Sequence, residues 1–371
     1  MPDQLEQPRE AADSVEAADS VGVADSAVAA EATGAGGVER RRPVAAVAMG
    51  ADVVDRVLAP GLRQRLARSV ELPPGALTGG LTGADARAVL ARAEVLVTGW
   101  DCPRLTADVL AHAPRLRAVV HAAGSVKPVV TDALWDRGVL VSSAADANAG
   151  PVVAYTLAAI TFATKGALPA AARYAERWPP FTERTGADAR TIGVVGASRI
   201  GRRVIAALNA SDAGHRVLLT DPYVTPAQAA ALGVDLVDLP DLCRASSVVT
   251  LHAPQLPETR GLLSAHMLSL IPDGGVVVNT ARGSLVDTDA LTRACAAGRL
   301  DAFLDVTDPE PLPPGHPLLA LPNVLVTPHI AGAQGSEVRR LGEYAVAEVE
   351  RYARGEALLG RLRREDLGRL A

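Results

Sequence analysis

From Pro43 onward, short apolar runs alternate with helix-like stretches. VAAVAM (Val44–Met49), EVLVTG (Glu94–Gly99), LRAVVHAAG (Leu116–Gly124) and GVLVSS (Gly138–Ser143) are too continuously apolar for half-exposed strands. Strands buried on both faces of a parallel sheet read this way. Between them, ADARAVLARA (Ala84–Ala93) and LTADVLAHA (Leu105–Ala113) carry a helical pattern. A longer apolar helix is predicted from Pro151 to about Thr164. A second alternating series begins at Thr191, with predicted strands in TIGVV, HRVLLTD, SVVTLHA, GGVVVNTA, RLDAFLDV and NVLVTPH. After Gly335 one more helical stretch, SEVRRLGEYAVAEVERYARG, ends at Gly355, a residue suited to a helix C-cap. The pattern predicts two α/β units and a C-terminal helix that must pack on one of them.

Residues 1–42 differ in texture. AADSVE, AADSVG and VADSAV repeat a short theme with no aromatic residue. Ordering such a segment costs more entropy than its burial returns, so a disordered low-complexity tail is expected there. GAGG at Gly34–Gly37 follows no strand and is not read as a phosphate loop.

The chain has 371 residues, 49% of them hydrophobic, enough for two ordinary cores. A net charge of −5 and 3% aromatic residues argue against a nucleic-acid surface. No apolar run is long enough to span a bilayer, and no secretory signal pattern opens the chain. Cys102, Cys243 and Cys295 form no CxxC pair, and the seven histidines show no ligand-like spacing. The expectation is a cytoplasmic protein with no metal, no nucleic-acid partner and no membrane contact.

Candidate chemistry begins at TIGVVGASRIGRRV (Thr191–Val204). Gly196 and Gly201 hold the first and third places of a G-x-G-x-x-G turn, and Ser198 holds the second. A strand precedes, a helix follows, and Asp221 closes the next strand 20 residues beyond Gly201. That context fits a dinucleotide fold, with Asp221 accepting from the adenosine ribose hydroxyls and disfavouring a 2′-phosphate. NAD is therefore the expected cofactor. The Ser198 hydroxyl, beside the helix N-terminal N–H groups, could donate to a phosphate oxygen.

Three polar residues stand after later strands: Arg282 in NTARGSLVD, Glu310 in DVTDPEP and His329 in VTPHIAG. Strand C-terminal ends of a parallel sheet share one edge, so the three could meet in one crevice. Arginine suits a carboxylate, and histidine a proton transfer near neutral pH. Taken singly, each has an ordinary reading: a surface ion pair, a solvated acid, a structural imidazole. Spacing alone does not show that they converge.

From about Val44 onward the sequence resembles the NAD-dependent D-isomer-specific 2-hydroxyacid dehydrogenases. The resemblance is carried by LHAPQLPETRGLLSAHMLSLIPDGGVVVNTARGSLVDTDAL, LDVTDPEPLPPGHPLL and NVLVTPHIAG, in that order and spacing. It implies two Rossmann/flavodoxin-like doubly wound domains, an NAD-binding domain (148–331) inserted into a discontinuous substrate domain (43–147 and 332–371). It implies that Arg282 binds the substrate carboxylate and carbonyl, that His329 is the acid and base, and that Glu310 pairs with it. Asp305 would lie at the nicotinamide, Arg199 and Ile200 at the pyrophosphate, and Thr280 and Ala281 along the cofactor channel. Ala123, Gly124 and Ser125 would offer N–H groups to the substrate carboxylate. His252 and His266 match non-catalytic positions. The implied reaction moves a hydride between NAD(H) and C2 of a small 2-hydroxy or 2-oxo acid, in a homodimer joined through the cofactor domain. Alternatives are a phosphoglycerate or glyoxylate/hydroxypyruvate-type specificity, with Arg104 and Lys127 as cations placed by position, and a non-catalytic NAD(H)-sensing binding protein. The chain departs from the family pattern at Ser198, at Thr307, at Ala154 and in AAGSVKP.

Overall fold

The computed structural model describes residues 41–184 and 186–369. The repeats of the N-terminal stretch, up to residue 40, lie outside the described residues.

Among the described residues, twelve strands form two sheets. The first contains β1 (Ala45–Ala48), β2 (Val95–Thr98), β3 (Ala118–His121) and β4 (Leu140–Ser143), all parallel. The second contains β5 (Thr191–Val195), β6 (Arg216–Thr220), β7 (Asp235–Leu236), β8 (Val248–Leu251), β9 (Gly275–Asn279), β10 (Leu300–Leu304) and β11 (Val324–Val326). The last strand, β12 (Arg361–Leu362), returns to the first sheet antiparallel to β4. Parallel bridges from Val44 to Glu71 and Ala48 to Leu77 add a short edge segment outside β1. The first sheet then has the order of a flavodoxin-like fold. The second runs β11-β10-β9-β8-β5-β6-β7, the dinucleotide-fold order with one strand added.

Both sheets are covered on both faces, as the unbroken apolar runs require. In the first, Ala46, Leu96, Val119 and Val141 enter one core, and their neighbours Ala45, Val95, Ala118 and Val120 enter the other. This is the two-residue period of a strand feeding two layers. The C-terminal helix Val338–Arg354 ends at Gly355, whose φ is 75°. It buries Val338, Ala345, Val346 and Val349 with Val54, Val57 and Leu66 on the first sheet. The leftover helix thus packs against the unit that the chain left at residue 143.

One boundary differs from the expectation. The apolar helix begins at Ala145, six residues before Pro151, and runs to Thr164 with the proline inside. Proline forfeits one helical hydrogen bond, but tertiary contacts hold the added turns. The Ala145 N–H donates to Ser143 Oγ at 3.0 Å, and Asn148 Oδ1 accepts from the Ala333 N–H at 2.8 Å. Asp146 pairs with Arg199 and Arg203. The helix bridges the two sheets, burying Ala159, Ile160 and Ala163 against the second. No helix among the described residues is long and apolar enough to cross a membrane.

Candidate active site

The order of the second sheet reverses between β5 and β8, and a crevice opens beyond their carboxyl ends. The turn after β5 is built by its glycines. Gly196 has a φ of 98°, and a Cβ there would lie 2.7 Å from the Ala253 nitrogen. A Cβ on Gly201 would lie 2.1 Å from the Gly196 carbonyl oxygen. The helix Arg199–Asn209 can start this close to the strand only because both side chains are absent. Ser198 is its N-cap and accepts from the Gly201 N–H at 3.3 Å. Its hydroxyl hydrogen remains available to a ligand. Asp221 Oδ2 accepts from the Ala197 N–H at 2.7 Å, and Oδ1 from the Tyr223 N–H at 2.8 Å. The acid expected at the ribose therefore also braces the turn. Each oxygen keeps acceptor capacity for a hydroxyl, so the residues present fit a dinucleotide.

A cavity of about 580 Å³ runs from this turn to the loops of the first sheet. Its walls include Ser198, Arg199, Ile200, Thr280, Ala281, Arg282, Asp305 and His329 from one side. Ala123, Gly124 and Ser125 face it from the other. Gly196, Gly201 and Asp221 stand behind the wall, and Glu310 reaches the cavity through His329. Trp100, Asn148, His252 and Gln334 also line it and were not singled out as site residues. Lys127 and Arg104 are not on the wall.

His329 and Glu310 meet. His329 Nδ1 lies 2.6 Å from Glu310 Oε1. A carboxylate can only accept here, so Nδ1 carries the hydrogen and Nε2 is left as the reactive nitrogen. His329 has a left-handed φ of 54°. Asp305, 2% exposed, holds that backbone. Its carboxylate accepts from the Thr327 hydroxyl at 2.7 Å and from the N–H groups of Ile330 and Ala331 at 2.7 and 2.9 Å. Its carbonyl accepts from the His329 N–H at 2.9 Å. The aspartate expected at the nicotinamide is thus also the organiser of the histidine loop.

The Arg282 guanidinium is buried deeply enough to fall below its usual pKa, and the Glu310 charge opposes that shift. Its Nη1 donates to the Ala281 carbonyl at 2.6 Å. Asn279 Nδ2 holds the Arg282 carbonyl at 2.9 Å, fixing the main chain independently of the guanidinium. Arg282 also acts electrostatically on Lys127, whose pKa is lowered first by burial and then by that charge.

The loop after β3 is tied down from behind. The Ser143 hydroxyl donates to the Gly124 carbonyl at 2.7 Å, and the His121 ring hydrogen-bonds the Ser125 main chain. Among the described residues, the N–H groups of Ala123, Gly124 and Ser125 have no hydrogen-bond partner. Successive unpaired N–H groups on a cleft wall form an anion-binding concavity. His121 also bonds Thr98 Oγ1 through Nδ1 at 2.9 Å.

Burial lowers the pKa of His121 to about 4, against the raising effect of the Ser125 bond, and lowers that of His252 to about 3. His252 is held by Thr250 Oγ1 at 3.0 Å. Both rings are neutral in the folded protein where the unfolded chain already binds protons. Their stabilisation is therefore complete above pH ~6.5 and is lost as pH falls toward the folded values. Thermal melts should show a midpoint that is steady from pH 8 to 7 and falls below pH 6.5. The His121 contribution should be about 3 kcal/mol by pH 4, and His121→Gln should flatten the slope. A midpoint independent of pH between 7 and 4 would contradict this.

The described residues contain no group of three or more His, Cys, Asp or Glu that could hold a metal ion. All three cysteines are buried and unpaired.

Comparison with known proteins agrees with this geometry. Residues 157–331 match the family model described as the D-isomer specific 2-hydroxyacid dehydrogenase, NAD binding domain. The chain is 31% identical over 263 residues to a glyoxylate reductase of Aeropyrum pernix, 68% of this chain and 78% of that one. It is 38% identical over 250 residues to the D-3-phosphoglycerate dehydrogenase of Mycobacterium tuberculosis, 67% of this chain and 47% of the relative. The chain thus spans about half the length of the phosphoglycerate dehydrogenases it matches. The solved structure of the TT0316 protein from Thermus thermophilus superposes with a TM-score of 0.66 at 31% identity, covering 86% of this chain and 99% of that one. This chain belongs to the D-isomer specific 2-hydroxyacid dehydrogenase family, a two-sheet α/β fold with an NAD-binding domain.

Proposed function

We propose that the protein is an NAD-linked oxidoreductase that interconverts a small 2-hydroxy acid and its 2-oxo acid. One observation carries this reading. A carboxylate-paired imidazole, a buried guanidinium and a braced loop of unpaired N–H groups share one cleft with the dinucleotide turn.

When bound, NAD(H) supplies or accepts a hydride at nicotinamide C4. Gly196, Ser198, Arg199, Ile200 and Gly201 would hold the pyrophosphate, Asp221 the ribose, and Thr280, Ala281 and Asp305 the nicotinamide side. Arg282 grips the substrate carboxylate and polarises the C2 oxygen. The N–H groups of Ala123, Gly124 and Ser125 take the carboxylate from the opposite wall. His329 gives a proton to the C2 oxygen from Nε2 in reduction and takes it back in oxidation. Glu310, accepting from Nδ1, fixes the ring so that Nε2 faces that oxygen.

The substrate domain, 43–147 with 332–371, would hinge on the two crossings to the cofactor domain, 148–331. Closure would exclude water from the cleft. A second copy is the proposed partner. Phe162, Tyr174, Trp178 and Phe181 are all exposed along one stretch of the cofactor domain, an apolar surface suited to a homodimer. The three unpaired thiols fit a reducing, cytoplasmic setting.

The test is NADH oxidation, followed at 340 nm, with glyoxylate, hydroxypyruvate, phosphohydroxypyruvate, pyruvate, 4-methyl-2-oxopentanoate and phenylpyruvate. Turnover with at least one acid, and preference for NADH over NADPH, is the expected result. NADH binding with no turnover of any 2-oxo acid would overturn the reading in favour of a sensing protein.

A further inference from the structure

We propose that the indole of Trp100 is the specificity wall of this cleft. It would receive an apolar group on C3 of the substrate, making the substrate a 2-oxo acid with a branched or aromatic side chain rather than a phosphorylated one. This rests on the reaction proposed above.

The register of the first sheet places the indole. Thr98 at the end of β2 pairs with His121 at the end of β3. Trp100 and Ala123 each lie two residues beyond that pair, so indole and carboxylate loop leave one sheet edge side by side. The Thr98–His121 side-chain bond ties the two strand ends together beneath them. The tryptophan backbone is held as well. The Gly50 N–H donates to the Trp100 carbonyl at 2.9 Å, and the Cys102 N–H to the Gly99 carbonyl at 3.3 Å.

The exposure of Trp100 also sets it apart. Trp100 is 38% exposed, in a chain with few aromatic residues. The other exposed aromatic residues, among them Tyr174, Trp178 and Tyr223, lie outside the cleft, whereas Trp100 lines it with Arg282 and His329. A rigid apolar face beside a few polar anchors is how small-molecule pockets select a ligand's side chain.

The charge of the cleft disfavours a phosphorylated substrate. A phosphate or second carboxylate needs its own cation. Among the described residues, the arginines and lysines on the cleft wall are Arg282, assigned to the first carboxylate, and Arg199, which stands at the dinucleotide turn and pairs with Asp146 at 2.9 Å. Lys127 influences Arg282 electrostatically but is not on the wall. Pro128, which also lines the cleft, adds apolar surface instead.

The experiment compares wild type, Trp100→Ala and Trp100→Phe on glyoxylate, phosphohydroxypyruvate, 4-methyl-2-oxopentanoate and phenylpyruvate. Wild type should favour the last two. In Trp100→Ala their kcat/KM should fall about 10- to 100-fold, carried by KM, with glyoxylate changed no more than about twofold. Trp100→Phe should restore most of the loss. Equal losses on every acid, or a wild-type preference for phosphohydroxypyruvate, would overturn the proposal. A second readout does not need turnover. In a Trp135→Phe, Trp178→Phe protein with NAD bound, 4-methyl-2-oxopentanoate should change the remaining tryptophan emission saturably, and phosphohydroxypyruvate should not. Saturation without turnover would support the pocket while refuting the reaction. No change with the apolar acid would overturn the pocket itself.

Discussion

Replacing His329 by alanine is expected to lower kcat by about 10²- to 10⁴-fold, the usual contribution of a positioned general acid or base. NADH affinity should stay within about twofold, because the cofactor turn is built by Gly196, Ser198 and Gly201, which the substitution leaves untouched. The loop should survive the substitution. Its anchors are the Asp305 carboxylate and carbonyl, which hold the main chain from residue 329 to residue 331, and not the imidazole. Glu310→Gln offers a graded companion. Glutamine can still accept from Nδ1 but no longer carries the charge that favours the imidazolium, which is the proton donor in reduction and is formed by proton uptake in oxidation. Turnover should therefore fall in both directions. Steady-state kinetics in both directions, with NADH binding followed by fluorescence, check the set. A His329→Ala protein with kcat near that of wild type would remove His329 from the chemistry.

Arg282→Ala should be comparably severe but should read differently. Truncating one member of a buried, hydrogen-bonded charge pair costs about 2–5 kcal/mol, which is roughly 30- to 5,000-fold in kcat/KM. The loss should appear in KM as well as kcat, since the guanidinium is proposed to bind the ground-state carboxylate and to polarise the carbonyl. Asn279 holds the Arg282 main chain, so the turn should keep its shape without the side chain. Arg282→Lys should recover only part of the activity, because an ammonium cannot reproduce the two-pronged grip. NADH binding again serves as the control. Unchanged KM and kcat in Arg282→Ala would mean that the carboxylate is held elsewhere, with Lys127 the first residue to examine.

Much of this architecture was legible in the sequence because it depends on local pattern. Continuous apolar runs reported strands covered on both faces, and Ala45 and Ala46 do enter different cores. Gly196 and Gly201 were legible because their places in the turn tolerate no side chain. Arg282, Glu310 and His329 could be marked because each follows a strand whose end faces the crevice. The sequence was silent where long-range contacts decide. The start of the long helix at Ala145 depends on Ala333, Arg199 and Arg203, all distant in the chain. The strand β12 is two residues long, and its partner lies more than 200 residues earlier. Asp305 illustrates a subtler limit. Family resemblance places it at the cofactor, but its hold on the histidine loop shows only in three dimensions. Trp100 carried no sequence signal as a wall of the cleft. The parallel pairing of β2 with β3, which brings Trp100 beside Ala123, would have supplied one had the register been known.

Hydride transfer to C2 of a 2-oxo acid in this cleft, with the proton handled by His329, can be followed by an isotope trace. NADH deuterated at the transferring position of C4 is incubated with the protein and 4-methyl-2-oxopentanoate, and the product is analysed by mass spectrometry and chiral chromatography. One deuterium is expected at C2 of a single hydroxy-acid enantiomer, the D form, with His329→Ala forming it at least about 10²-fold more slowly. Unlabelled product, racemic product, or labelled product formed equally fast by His329→Ala would contradict it.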